Sequence, residues 1–159
     1  MKHLPKHLRP RWRYLAVELA AWPDADVDRG AFQRELWFAA QNLLGDPGSA
    51  DADLRVFAFR FSDGAGEAVV RVRRDETGPA RAALACIDEV NGDPIRVAVV
   101  GISGTVRACE EKYMGGAPIN PGENRVVYRN TARRAVSRDS LLDIEVDGGF
   151  TGATRLDLE

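Results

Sequence analysis

"LRVFAFRFSDGAGEAVVRVRR", Leu54 to Arg74, holds two apolar runs around a turn, and its reading decides the fold. Leu54 to Phe61 and Ala68 to Arg73 are each long enough for a strand, and Ser62 to Gly66 between them carries two glycines suited to a tight reversal. The pair is expected as an antiparallel hairpin. Upstream, "RYLAVEL", Arg13 to Leu19, sets Leu15, Val17 and Leu19 against Tyr14, Ala16 and Glu18, the period of a half-buried strand. Between that strand and the hairpin, Asp28 can cap a helix bearing Phe32, Leu36, Ala39, Ala40 and Leu43 at helical spacing, with Gly45 as its stop. "GDPGSADAD", Gly45 to Asp53, reads as a loop. Downstream, Thr77 and Pro79 open a second helix whose Ala83, Leu84, Ile87 and Val90 share a face, closed by Gly92. "PIRVAVVGIS", Pro94 to Ser103, is a fourth strand, apolar enough to lie centrally.

The order strand, helix, strand, strand, helix, strand is the split β-α-β arrangement of a ferredoxin-like, RRM-like α+β sandwich: a four-stranded antiparallel sheet with two helices on one face. The opposite face is left for binding. Because this architecture hosts RNA readers, small-molecule sensors and enzymes, it selects none of them. An extra helix follows in "GISGTVRACEEKYM", Gly101 to Met114, where Val106, Cys109 and Tyr113 form one stripe and Arg107, Glu111 and Lys112 lie elsewhere. Gly101 and Gly104 suit a sharp turn off the strand, and Ser103 or Thr105 can cap the helix amides; those amides could instead receive a phosphate, but the spacing favours capping.

A chain of 159 residues suits one domain plus a tail. No apolar stretch approaches the roughly 20 residues of a membrane span. The proline-broken N-terminus carries no export signal, which points to the cytoplasm. Cys86 and Cys109 read as small reduced core residues on helices, and with His3 and His7 isolated there is no spacing for a metal site. No Ser/His/Asp or Cys/His set has supporting context, no P-loop lysine follows Gly104, and the adjacent Glu110 and Glu111 point about 100° apart on a helix. No catalytic group is expected from this chain.

Binding is better supported. Lys2, Lys6, Arg9, Arg11 and Arg13 all precede the first acid, Glu18, and are interleaved with Trp12 and Tyr14, a composition that can neutralise phosphates and stack on a base. Arg71 and Arg73 alternate with Val70 and Val72 and should project from the sheet face opposite the core. Strand three carries no ring, which argues against a standard RNA-recognition motif. Phe57, Phe59 and Phe61 are expected on one face of strand two, as core or protein-interface residues. From Gly115 onward, a Gly/Pro-rich linker, an arginine-rich stretch (Arg125, Arg129, Arg133, Arg134, Arg138) and an acidic end read as a flexible tail with at most a weak helix near Thr131 to Leu142. The organisation is thus a basic arm, 1–12, a domain, 13–114, and a tail, 115–159.

"RYLAVEL" after the leader "LPKHLRPRWR", the strand "VFAFRF" and above all "GTVRACEEKYM" resemble the archaeal ribonuclease P protein component 2 family, homologous to the Pop-type subunit of the eukaryotic enzyme. The likeness spans about Leu4 to Met114, and the tail has no counterpart in it. It implies a subunit of the ribonucleoprotein that removes the 5′ leader of precursor tRNA. In that enzyme the RNA and Mg²⁺ ions perform the hydrolysis, so this chain itself would bind no cofactor. It also implies pairing with a barrel-shaped protein subunit and self-association. Arg13, Tyr14, Gly104, Thr105 and Arg107 match the family and are the leading RNA-binding candidates; Lys6, Arg9, Arg11, Arg71 and Arg73 join them on charge geometry, and Phe57, Phe59 and Phe61 are candidates for protein contact. The acidic surplus outside the arm departs from what an RNA-binding subunit usually shows. Two other functions fit the residues: a small-molecule sensor holding an anion at the Gly101 turn, and an adaptor whose Phe face holds another protein.

Overall fold

The computed structural model describes residues 4–115 and 122–158. It is an α+β structure built on two antiparallel sheets. The first sheet contains β1 (Trp12–Ala21), β2 (Arg55–Ser62), β3 (Ala65–Arg73), β4 (Glu89–Val90) and β5 (Asp93–Ser103) in the order β2-β3-β1-β5-β4. The hairpin of β2 and β3 forms as expected, turning at Asp63 and Gly64, both with positive φ. Helices α1 (Arg29–Ala52) and α2 (Thr77–Ala85) cover one face. There Leu15, Val17 and Leu19 from β1 and Val70 and Val72 from β3 meet Phe32, Leu36 and Leu84, all buried. Each such side chain contributes about 1.5–3 kcal/mol. The other face carries α3 (Val106–Tyr113), packed through Cys109 onto Ala16 and Val69.

Several expectations change in ways the chain explains. Helix α1 does not stop at Gly45: it kinks there, at φ 72° and ψ 174°, and continues to Ala52. Pro47 falls in the opening turn after the kink, where its missing N–H costs nothing, so the stretch expected as a loop is mostly helical. Helix α2 ends at Ala85, and Ile87 and Val90 reach the core from beyond it. Asn91 and Gly92, at φ 52° and 80°, form the two-residue turn between β4 and β5 instead of a helix stop. The sheet therefore has five strands rather than four, and β5 is less central than expected, since β4 pairs only with Asp93 and Pro94. Cys86 is exposed at the end of α2, whereas Cys109 is buried.

In β2 a bulge falls between Val56 and Ala58, so that Val56 pairs with Val70 and Ala58 with Val69. A bulge inserts one residue and reverses the faces beyond it. Phe57 consequently lies on the α3 side, while Phe59 and Phe61 pack into the core under α1, with Phe59 5.8 Å from Phe32 between ring centroids. The three rings do not share a face.

The largest correction is the C-terminal segment. The expected tail forms a second sheet, β6 (Gly122–Tyr128), β7 (Thr131–Arg138), β8 (Leu141–Val146) and β9 (Gly149–Ala153), joined by two-residue turns at Arg129-Asn130, Asp139-Ser140 and Asp147-Gly148. No helix forms over Thr131 to Leu142. Ala135, Leu142, Ile144 and Ala153 make its small core, packed by Val126, Tyr128, Val146 and Leu158. Its other face docks on the far end of the first sheet. Asp143, fully buried, accepts from Arg96 of β5 and from Arg138 of β7 at 2.7 Å. Arg138 also donates to the backbone oxygens of Ala21 and, at 3.3 Å, Gly64. Arg134 lies 4.0 Å over the Trp22 ring and pairs with Glu123 and Asp24, and the Phe150 ring packs tilted against Trp22, with centroids 4.6 Å apart. Part of the expected linker, residues 116–121, lies outside the described residues, as do Lys2 and His3.

Candidate nucleic-acid interface

The opening of α3 is settled by packing. Neither Gly101 nor Gly104 has positive φ. A Cβ on Gly101 would sit 2.2 Å from the Tyr113 ring, so the glycine is there to seat that tyrosine, whereas a Cβ on Gly104 would approach only the Arg13 guanidinium, at 3.8 Å. Thr105 caps the helix, accepting from the Ala108 amide at 3.1 Å. The capping reading is the one observed. Arg107 is exposed on the outer side of α3 and pairs with Glu111 at 2.8 Å, one turn on.

The sheet face beside α3 gathers the aromatic and basic residues of three strands. Trp12 lies across from Arg73, Tyr14 across from Arg71, and Arg71 across from Arg55, so all project to the same side. The Arg71 guanidinium sits 3.7 Å from the centroid of the Trp12 ring and 5.0 Å from that of Phe57; Arg73 reaches the Trp12 ring at 4.5 Å. Tyr14 meets Phe57 edge-on at 5.9 Å. Arg73 makes a loose pair with Asp53 at 3.7 Å. Among the described residues no carboxylate pairs with Arg71 or Arg55.

The arm leads into this face. Lys6 to Leu8 form a 3₁₀ turn, Arg9 donates to Leu4 O at 2.8 Å, and Arg11 O accepts from the Arg74 amide at 3.0 Å, which ties the arm to the end of β3. His7, Arg9, Arg11, Arg73 and Arg74, opposed by Asp51, Asp75 and Glu76, line a cleft of about 590 Å³. Arg13 stands apart: it registers with the core-facing Val72 and so emerges on the helix side, beside Gly104 at the rim. Of the sequence candidates, Tyr14, Arg71 and Arg73 come together, Arg9 and Arg11 border them, and Lys6 is exposed in the 3₁₀ turn of the arm. Arg13 with Gly104, and Thr105 with Arg107, form two further groups.

Phe57 joins the cluster, while Phe59 and Phe61 pack against the core and are only partly accessible. Sequence reading missed Arg55, whose place opposite Arg71 depends on the hairpin register, and the exposed Trp37 and Phe38 of α1; Leu43, expected on the buried face of that helix, is exposed beside them. Among the described residues no three His, Cys, Asp or Glu side chains are grouped as ligands of one metal ion. No helix among them is long and apolar enough to cross a membrane.

The family model described as "Rpp14/Pop5 family" matches residues 13–114, from the second residue of β1 through α3, a span that holds Tyr14, Arg55, Phe57, Arg71 and Arg73 of the cluster and begins just after Trp12. The chain belongs to the Rpp14/Pop5 family. Relatives named ribonuclease P protein component 2 include one from Haloarcula marismortui, 59% identical over 99% of both chains, and one from Natronomonas pharaonis, 60% identical over 99% of this chain and 98% of its own. A more distant one, from Methanosarcina barkeri, is 31% identical over 87% of this chain and 97% of its own. The Rpp14/Pop5 match ends before β6, yet the first two alignments run through the second sheet. The segment expected to lack a counterpart therefore has one in those relatives.

Proposed function

We propose that this Rpp14/Pop5 chain is a protein subunit of ribonuclease P, a holoenzyme in which the RNA, with Mg²⁺, removes the 5′ leader of precursor tRNA in the cytoplasm. Family membership and full-length relatives of that name support the reading, and the cluster around Arg71 is the observation that carries it. A ferredoxin-like module, extended by β4 and α3, presents that cluster. Its cations neutralise RNA phosphates and so stabilise the folded ribozyme, which matters most when Mg²⁺ is scarce. The arm residues Lys6, Arg9 and Arg11 extend the same surface, with Arg107 on α3 as a further contact. A barrel-shaped protein subunit would find apolar surface at Phe38 and Leu43 of α1 rather than at Phe59 and Phe61, and self-association accompanies that pairing.

The test is reconstitution with the ribozyme and its other subunits at limiting Mg²⁺. Adding this chain should raise precursor-tRNA cleavage at least tenfold, roughly the effect of gaining one or two ionic contacts. Arg107→Glu should lower that gain more than Arg155→Glu, which reverses an exposed charge at the far C-terminus. Equal cleavage with and without the subunit would defeat the proposal.

A further inference from the structure

We propose that Arg55 and Arg71 form a fork for a single backbone phosphate, with Trp12 and Phe57 as positioning residues, an inference that rests on the RNA-binding role above. Arg55 and Arg71 are direct cross-strand partners at the open edge of the first sheet. Like charges directly opposite each other on a sheet are destabilising, and among the described residues neither side chain has a carboxylate to offset the repulsion. An anion between them removes that cost.

Arg71 is held ready for such a ligand. The rings of Trp12 and Phe57 lie against its guanidinium. Its Nε is buried with no acceptor. Among the described residues the terminal nitrogens have no hydrogen-bond acceptor and are not enclosed, which leaves a planar pair of donors open to a ligand. That geometry matches two oxygens of one phosphate.

The same packing argues against a base as the ligand. A sheet that reads bases offers free ring faces for stacking. Here Trp12 is covered by Arg71 and approached by Arg73, Phe57 lies against Arg71, and Tyr14 turns its edge to Phe57. The aromatics serve the guanidiniums, so recognition is of the RNA backbone and independent of its sequence.

The experiment measures binding of the full-length chain to ribonuclease P RNA and to oligouridine and oligoadenosine of equal length across a salt titration, with thermal melting to confirm that each variant folds. Arg55→Ala and Arg71→Ala should each weaken binding about tenfold, equally on both oligomers, and lower the salt slope by about one. Arg71→Lys keeps the charge and loses the fork: affinity falls while the slope is retained. Trp12→Leu and Phe57→Leu should cost a few-fold with the slope unchanged, as expected of residues that only orient Arg71. Arg155→Ala, the control for loss of one exposed cation, should bind as the parent does. Parent-like affinity and slope in both arginine-to-alanine variants, or a loss confined to one base sequence, overturns the phosphate fork while leaving the subunit role intact. Failure of the parent chain to bind any of the RNAs overturns the subunit role itself.

Discussion

Asp143→Ala should destabilise the protein by about 3–5 kcal/mol, the usual cost of stripping one partner from a buried ion pair. The carboxylate is fully buried between Arg96 and Arg138, and the Arg138 side chain is itself only 9% exposed. Removing the acid leaves a guanidinium in the seam between the two sheets, with backbone oxygens of Ala21 and Gly64 as its remaining acceptors. Urea unfolding should show the loss, and hydrogen exchange should show it first in β6 to β9. Replacing the group with apolar residues of similar volume, Asp143→Leu with Arg138→Met, should recover much of the stability, because desolvation of two charges then disappears together with their attraction. If Asp143→Ala unfolds at the parent urea concentration, the triad does not hold the second sheet in place.

Gly101→Val should detach α3. A Cβ at this position falls 2.2–2.5 Å from three ring carbons of Tyr113, inside any tolerable contact, so the tyrosine must leave its seat. Overpacking of this severity costs about 3 kcal/mol, the upper end of the usual range. The readout is the thiol of Cys109, on the inner face of α3, where burial first and Glu110 second push its pKa up and keep it unreactive. In the parent protein one thiol, Cys86, should react promptly with a disulfide reagent and the second only on unfolding; in Gly101→Val both should react promptly. Adding Tyr113→Ala should restore protection of α3 in part, a coupling that a double-mutant cycle measures. Unchanged Cys109 protection in the valine variant would refute the Gly101–Tyr113 packing.

The parts of the fold that were legible in sequence are those whose large apolar residues fall on one face. The large side chains Leu15, Val17 and Leu19 alternate because β1 packs against α1 and α2, even though the small Ala16 between them is buried under α3, and Thr105 could be named as a cap because its spacing to the helix is local. The second sheet was not legible. In β7, Ala135 faces its own core while the neighbouring Val136 faces the seam, both fully buried, so no alternation marks the strand. Arginines inside a strand also read as solvent-exposed, although Arg134 and Arg138 are docking residues. At the candidate interface, the outward direction of Arg71 and Arg73 followed from period two. Its register with Arg55 and the turn of Phe57 to the same side depend on long-range pairing and on a bulge, which no local pattern announces. Gly101 was singled out for turn geometry; its reason lies twelve residues away in the Tyr113 ring.

The most direct test is a hydroxyl-radical footprint of ribonuclease P RNA bound by the parent chain and by the variant Arg71→Ala truncated before Arg11. Backbone protections present with the parent chain and absent with the variant, at concentrations where both remain folded, are the predicted result. The same protections in both would contradict the claim that this sheet face and its arm hold the RNA.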